Sequence, residues 1–284
     1  MRPIVCFIDD ARFELENFRE HAAWAFEGLE IIYAHTFEEA RRQLDGRRPL
    51  GFLLDIYGAT SAEQPQGLPP RDELARALSE RMELEGLYEG LKGAGSEDAN
   101  TFLRRLHGWV SRLQGAFDLA AGHLGQSRAY GLENLQQVRR HYPWAAAVGY
   151  SRKSSYADAA AMCAAGADGV LIKPQGEGAE AIAEATRAQA PEIFGALGRM
   201  IDRRLIQVLG PVGLRLCVEA EAQGLAEAIV EGLRHLGAWG LGEPRVSREE
   251  AVGMLEGVRL EEGMSATERE ALLCLRDWLE VRPR

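Results

Sequence analysis

Three aspartates, one serine and one lysine stand where apolar runs of the 284-residue sequence end, and residues of these types bind ions and take part in group transfer. They are Asp9, Asp10, Asp55, Ser151 and Lys173. The apolar runs before them read as strands buried on both faces, as in a parallel sheet. Because ligands and chemistry gather at the carboxyl ends of the strands in such a sheet, we expect these five side chains to form one site.

Helical segments separate the apolar runs, so strand and helix alternate along the chain. Periodicity predicts one further strand and four helices, over 29–35 and over 11–26, 37–45, 130–142 and 155–166. Strands that alternate with helices indicate parallel βαβ units with right-handed crossovers. The predicted fold class is therefore α/β, with five parallel strands and one long interruption after Gly58.

Each of the five side chains also has a simpler explanation when it is taken alone. Asp9 and Asp10 would cap the helix that follows, since acidic residues favour a helix amino terminus. Ser151 fits an ordinary turn, and Lys173 fits a solvated lysine. Lysine is scarce in this sequence, however, because Arg supplies nearly all of the positive charge. The presence of all five residues at strand ends favours a site over these separate explanations.

Composition excludes several other classes of site. A net charge of −10 gives no electrostatic reason to expect broad nucleic-acid binding. The four cysteines contain no CxxC pair and the histidines do not cluster, so neither a disulfide framework nor a nitrogen and sulfur metal site is indicated. The amino-terminal apolar run is too short to span a membrane and lacks a signal-peptide cleavage pattern, so we expect a cytoplasmic protein without membrane insertion.

Five motifs, in order, resemble the receiver domain of two-component response regulators of the chemotaxis-regulator type. The motifs are "FIDD", "LLDI", "GLENLQQVRR", "AVGYS" and "GADGVLIKP". The resemblance covers 1–57 and 130–190, which would form one discontinuous receiver domain. It implies a flavodoxin-like sheet of five parallel strands.

The resemblance also implies a chemistry for the site. Asp55 would accept a phosphoryl group from a histidine kinase or a histidine phosphotransfer protein. Lys173 and the Ser151 hydroxyl would contact the phosphoryl oxygens, and a cis peptide bond before Pro174 would orient the lysine. Mg²⁺ would be held by Asp9, Asp10, Asp55 and the backbone carbonyl of Tyr57. Beyond phosphorylating and dephosphorylating itself at Asp55, the chain would not be an enzyme.

Four positions depart from the receiver pattern or tune it. Arg152 stands where these domains usually carry a small residue, so it would crowd or shield the acyl phosphate. Val170 replaces the aromatic residue that often turns inward with activation, which removes the expectation of an aromatic switch. Tyr57 and Lys153 occupy positions that control the access of water to the acyl phosphate, and their bulk predicts slow hydrolysis.

The remaining two segments match no family motif. Residues 58–129 predict an inserted antiparallel helical hairpin, whose arms carry apolar residues at helical spacing over 71–93 and 97–124, with Ser96 as the cap of the second arm. Residues 191–284 predict a mainly helical output or interaction domain in which acidic residues exceed basic ones.

The sequence thus predicts a response regulator whose output is a protein contact. The hairpin would reach a partner protein or a second copy of the chain. Two alternatives stay open at this point. One is a pseudo-receiver that acts as a scaffold without phosphorylation, and the other is a DNA-binding output, which the acidic carboxyl-terminal segment disfavours.

Overall fold

The structure of the protein is a computed structural model that describes residues 2–59, 66–78, 84–93, 95–152, 155–218, 222–257 and 264–282. The chain divides into two compact units. The first contains Met1–Ile56 and Gly131–Arg284, and the second, here called the inserted unit, contains Tyr57–Tyr130.

The first unit is built on a five-stranded sheet in which every strand is parallel to its neighbours. The strands are β1 (Ile4–Ile8), β2 (Glu30–Ala34), β3 (Pro49–Leu54), β6 (Ala146–Ser151) and β7 (Gly169–Ile172). Their order across the sheet is β2-β1-β3-β6-β7, which is 2-1-3-4-5 when these five are numbered alone. This order is that of flavodoxin-like doubly wound folds, so it confirms the predicted fold class and is consistent with a receiver domain.

Burial explains why continuous apolar runs form this sheet. All residues of β1, β3 and β6 are buried, because helices cover both faces of a doubly wound sheet. The helices between the strands are α1 (Arg12–His21), a 3₁₀ turn (Ala23–Phe26), α2 (Phe37–Leu44), α6 (Ala129–His141) and α7 (Tyr156–Ala164). Thr36 caps α2, and a Ser155–Asp158 capping box begins α7.

The register brings the carboxyl ends of four strands to one edge. Ile8 of β1 lies beside Leu54 of β3, and Leu54 lies beside Gly149 of β6. Ser151, the last residue of β6, pairs with Ile172, the last residue of β7. Residues that follow these strands therefore start from the same edge of the sheet.

The carboxyl-terminal segment is helical, as predicted. Its helices are α8 (Ala179–Leu216), α9 (Gln223–His235), α10 (Arg248–Gly257) and α11 (Ala266–Val281). Because proline favours the first turn of a helix, the sequence predicts that a new helix starts at Pro191, but α8 runs through Pro191. The expected boundary between residues 190 and 191 lies inside this one helix. Burial of Ala190, Ile193 and Leu197 along α8 offsets the hydrogen bond that proline removes.

One hydrophobic core joins α8 and the later helices to the sheet. Phe7 and Leu53 from the sheet belong to the same buried cluster as Leu197, Leu275 and Trp278 from the helices. The indole of Trp278 also donates a hydrogen bond of 2.7 Å to Asp202 of α8. The carboxyl-terminal helices therefore complete the core on one face of the sheet.

The inserted unit contains a two-stranded antiparallel ribbon and three helices in the described residues. The ribbon pairs β4 (Gly58–Ala59) with β5 (Gln126–Ser127), and the helices are α3 (Arg71–Ala77), α4 (Leu84–Tyr88) and α5 (Ser96–His123). Helix α5 corresponds to the predicted second arm of the hairpin. The predicted first arm corresponds to α3 and α4, and residues 79–83 between them lie outside the described residues. Across the described parts of both units, no helix combines the length and apolarity that a bilayer crossing requires.

Candidate functional site

Four of the five predicted site residues follow or end parallel strands, and backbone hydrogen bonds fix three of them. The Asp9 N–H donates to the Ala34 carbonyl at 3.0 Å, and the Asp55 N–H donates to the Ile8 carbonyl at 2.9 Å. The Lys173 N–H donates to the Ser151 carbonyl at 3.1 Å. These bonds continue the hydrogen-bond ladders of the sheet one residue past the strands. The backbone that carries the three side chains is therefore fixed to the sheet.

A buried ammonium group lies between two buried carboxylates at this edge. Lys173 Nζ donates to Asp55 Oδ1 at 2.9 Å and also to Asp9 Oδ2. The exposed fractions are 0% for Asp9, 3% for Lys173 and 6% for Asp55. Water screens such charges little, so these three groups must compensate one another within the protein.

A third carboxylate leaves the site with excess negative charge. Asp10 is half-buried, and one oxygen from each of Asp9, Asp10 and Asp55 lies within 4.8 Å of the others. Three carboxylates beside one ammonium leave two negative charges when all are ionised. Oxygen ligands with this surplus charge suit a hard divalent cation such as Mg²⁺.

Burial makes the ionised carboxylates costly. It raises the pKa of Asp9 to about 7, against the opposing effect of the Lys173 ammonium. Burial also raises the pKa of Asp55, while Lys173 and a hydrogen bond from Ser151 oppose the rise. Burial lowers the pKa of Lys173, but Asp9 and Asp55 outweigh it and keep the ammonium charged. An added cation would favour the ionised form of both acids.

Ser151 lies where the sequence analysis predicts it. Its side chain is buried, with 1% exposed, and it hydrogen-bonds the Asp55 carboxylate. The structure thus brings together all five residues that the strand-end pattern selected.

Arg152 is held by groups that the sequence analysis did not identify. Its Nη2 lies 2.9 Å from each carboxylate oxygen of Glu14 in α1, and its Nη1 donates to the Pro174 carbonyl. The guanidinium therefore ties the residue after β6 to α1 and to the turn after β7. A bidentate pair of this kind has a fixed geometry, so it holds the Arg152 side chain in place beside the end of β6.

Of the other three positions that the sequence predicts to tune the site, the structure describes Val170 and Tyr57. Val170 is half-buried in β7, and its Cγ2 would lie 3.1 Å from a Cβ added to Gly149 of the neighbouring strand. Lys153 lies outside the described residues. Tyr57 belongs to the inserted unit, where it is 3% exposed.

The expected cis bond before Pro174 is wrong. No peptide bond in the described residues is cis, and these residues include both Lys173 and Pro174. The trans form is intrinsically favoured even before proline. Lys173 is oriented instead by its two carboxylate partners, Asp9 and Asp55.

Two further residues at this edge escaped the sequence analysis. His35 Nδ1 lies 3.1 Å from the Asp9 carbonyl oxygen. Gly131 donates its N–H to the Ile56 carbonyl at 3.2 Å, and an added Cβ would lie 2.7 Å from Ile56 Cα and 2.8 Å from the Asp55 carbonyl oxygen. Glycine is therefore required where α6 passes the backbone that carries Asp55. A glycine inside a helical pattern is the signal that could have identified it.

Comparison with known proteins gives structural similarities alone. No family model matches the chain, and no curated protein matches it. One similar structure is a response regulator protein from Burkholderia pseudomallei, with a phosphorylated aspartic acid, calcium ion and citrate. It is 15% identical, the match covers 80% of this chain and 90% of that chain, and the TM-score is 0.31.

A second similar structure is NtrX from Brucella abortus, which is also 15% identical with a TM-score of 0.31. That match covers 95% of this chain and 51% of NtrX, so the chain spans about half the length of NtrX. At such TM-scores the two likenesses carry no weight for the site. The receiver-like fold rests on the strand order of this chain.

Proposed function

We propose that the chain is a response regulator that accepts a phosphoryl group at Asp55 from a histidine kinase or a histidine phosphotransfer protein. The observation that carries this proposal is the buried Lys173 ammonium, bonded to Asp9 and Asp55 beside the third carboxylate of Asp10. A nucleophilic carboxylate needs a nearby cation to tolerate an anionic phosphoryl group. The site supplies one cation and the ligands for a second.

The reaction follows from these contacts. An oxygen of Asp55 attacks the phosphorus in line, a new P–O bond forms, and the P–N bond to histidine breaks with its electron pair returning to the imidazole. Lys173, 2.9 Å from Asp55 Oδ1, holds the carboxylate and neutralises charge on the phosphoryl oxygens. The Ser151 hydroxyl, already bonded to Asp55, turns to a phosphoryl oxygen.

Three acids would hold Mg²⁺ at this site. Asp9, Asp10 and Asp55 offer the oxygens, and the Tyr57 carbonyl is added by the resemblance to receiver domains. When bound, Mg²⁺ would neutralise phosphoryl charge during transfer. Arg152 would shield the acyl phosphate from water through its fixed position between Glu14 and Pro174.

The proposed output is a protein contact made by the inserted unit. Eight of the fifteen exposed large hydrophobic residues in the described parts of the chain lie in this unit, which is about a quarter of the sequence. They are Leu68, Leu78, Leu84, Tyr88, Leu103, Val110, Leu113 and Leu124. Exposed apolar side chains concentrated in this way favour a protein surface as the partner.

Acetyl phosphate with Mg²⁺, followed by intact-mass measurement, tests the phosphorylation. The wild type should gain one phosphoryl group, whereas Asp55→Asn and the wild type in EDTA should gain none. Asp72→Asn, a change at an exposed acid of α3, is the matched control and should gain one. Labelling of Asp55→Asn at wild-type yield would refute the assignment, and an unlabelled wild type would favour the scaffold alternative. Rapid turnover of acetyl phosphate without accumulation of the labelled protein would indicate a phosphatase instead, because slow dephosphorylation of Asp55 releases phosphate only gradually.

Replacing residues 60–128 with a short Gly-Ser loop tests the output. Phosphorylation of Asp55 should persist because the five site residues remain, while self-association or capture of a partner is lost. Light scattering and a pull-down with a stable phosphoryl mimic measure this. Unchanged association would refute the inserted unit as the output surface.

A further inference from the structure

The side chain of Tyr57 is anchored on the carboxyl-terminal half of helix α5. Its hydroxyl hydrogen-bonds Asp118 Oδ1 at 3.0 Å, and Gln114 Nε2 bonds both groups, at 3.2 Å to the hydroxyl and 2.9 Å to the carboxylate. The Tyr57 ring meets Phe117 edge-on, with centroids 5.2 Å apart. Arg128 holds the other oxygen of Asp118 at 3.3 Å. All of these residues lie within the inserted unit.

The backbone just before Tyr57 is equally constrained within the first unit. Lys173 holds the side chain of Asp55, and Gly131 holds the carbonyl of Ile56, which is 0% exposed. Three consecutive residues therefore have separate anchors. Only a few backbone dihedrals separate these anchors, so a displacement at one end has little chain in which to relax before it reaches the other.

We propose that Tyr57 is a positioning residue that couples the Asp55 site to helix α5. This inference rests on the proposed function, because it takes Asp55 as the residue that changes state. Loading the site with Mg²⁺ or a phosphoryl group shifts the backbone at 55–57, and the Tyr57–Asp118 bond carries that shift to α5. Coupling of this kind is reciprocal, so loosening the bond at α5 must also change the affinity of the site for Mg²⁺.

The simpler explanation is that the bond only stabilises the base of the inserted unit. In that case its removal would lower the thermal midpoint and leave Mg²⁺ affinity unchanged. Measuring both the Mg²⁺ affinity and the thermal midpoint of a variant that lacks the bond therefore separates the two explanations.

A double-mutant cycle with Tyr57→Phe and Asp118→Ala tests the coupling. Phenylalanine keeps the ring packing on Phe117 and removes only the hydroxyl. Calorimetric titration should show Mg²⁺ affinity reduced by about two- to tenfold in each single variant, the range expected for one hydrogen bond, with no further loss in the double variant. Tyr88→Phe is the matched control. Tyr88 is exposed and packs on Phe102, away from Asp118 in sequence, so its replacement should leave the affinity unchanged.

Amide hydrogen exchange supplies a second readout. In the wild type, adding acetyl phosphate and Mg²⁺ should change exchange at residues 112–120 of α5, and Tyr57→Phe should abolish that response. Wild-type affinity together with a wild-type exchange response in Tyr57→Phe would overturn the coupling while leaving phosphorylation of Asp55 intact. A wild type that takes no phosphoryl group would instead refute the proposed function. A non-additive Mg²⁺ cycle in that same protein would still support the coupling.

Discussion

Replacing Lys173 by Met should destabilise the protein strongly in the absence of divalent cations. Methionine keeps much of the side-chain volume and removes the ammonium that lies between Asp9 and Asp55. Both carboxylates are more than nine-tenths buried, so water cannot replace the lost charge. Removing one partner of a buried ion pair typically costs about 3–5 kcal/mol, and we expect a loss of this size in the free energy of unfolding.

Mg²⁺ should recover part of that loss, because the cation would become the counter-charge for the two acids. Binding to the folded state alone stabilises by about 2.7 kcal/mol when the cation is at one hundred times its dissociation constant. Urea unfolding with EDTA and with MgCl₂ measures both quantities. The difference between the two conditions should be larger for Lys173→Met than for the wild type.

Lys92→Met provides the matched control, because Lys92 is exposed and its replacement should change stability by less than about 0.5 kcal/mol. If the free energy of unfolding of Lys173→Met in EDTA fell by less than about 1 kcal/mol, the Lys173 ammonium would contribute less stability than the charged partner in a buried ion pair usually does. If its stability did not respond to Mg²⁺, the three acids would not form a cation site. Either result would refute the electrostatic reasoning for this edge of the sheet.

Three further outcomes are expected. Gly131→Ala should lower the free energy of unfolding by about 1–3 kcal/mol and impair labelling of Asp55, since the added Cβ meets backbone at 2.7 Å. Its control is Gly108→Ala in α5, where the added Cβ meets nothing within 4 Å, so this variant should be stabilised by up to about 1 kcal/mol. Denaturant unfolding compares the two variants. Tyr33→Phe should stabilise by about 1 kcal/mol, because the buried Tyr33 hydroxyl has no partner among the described residues. Burial raises the pKa of Tyr33 from 10.0 to about 12, so the hydroxyl is neutral in both the folded and the unfolded state below pH 10. Above pH 10 it ionises first in the unfolded chain, which lowers the free energy of unfolding. The stability of the wild type should therefore fall relative to the variant between pH 10 and pH 12. The full-length protein should give no sequence-specific DNA shift, since acidic residues exceed basic ones within 191–284, and a shift with a steep salt dependence would contradict this.

The sheet could be predicted from the sequence because its three central strands, β1, β3 and β6, are buried on both faces. Runs such as Ile4–Ile8 and Pro49–Leu54 are continuously apolar for that reason, and the residues after them are polar. The strand-end rule then grouped Asp55 and Lys173, which are 118 residues apart. Position at a strand end is a local property, and it was enough to select five residues that the structure brings together.

Helix α8 shows where local signals fail. Pro191 is a favourable first residue of a helix, so the sequence pattern predicted a new start there. The helix continues because Ala190 and Ile193 on either side are buried in the core, and this burial outweighs one missing hydrogen bond. Tertiary packing of this kind is invisible to a rule that reads a few neighbouring residues.

Side-chain partners were the other part that the sequence could not supply. Glu14 lies 138 residues from Arg152, and Asp118 lies 61 residues from Tyr57. Both pairs join a residue near a strand end to the face of a helix, and the direction of a helix face depends on how the helix packs. Apolar periodicity fixes which face of a helix is buried but not which polar residue reaches a given side chain.

The shared hydrophobic core affects how a structural change at Asp55 can be transmitted to the helices. Leu197, Leu275 and Trp278 pack in the same cluster as Phe7 and Leu53, so the carboxyl-terminal helices can respond only if close-packed side chains rearrange. Such cores are not continuously deformable, so a small movement at the sheet edge reaches these helices only if the core changes to a second packing arrangement. The described residues of that cluster all belong to the first unit, whereas Tyr57, the first residue of the inserted unit, follows Asp55 by only two positions. If Asp55 accepts a phosphoryl group as proposed, the covalent chain to Tyr57 and the Tyr57–Asp118 bond would therefore give the change its shortest path to α5, within the unit that carries eight of the fifteen exposed large hydrophobic residues in the described parts of the chain.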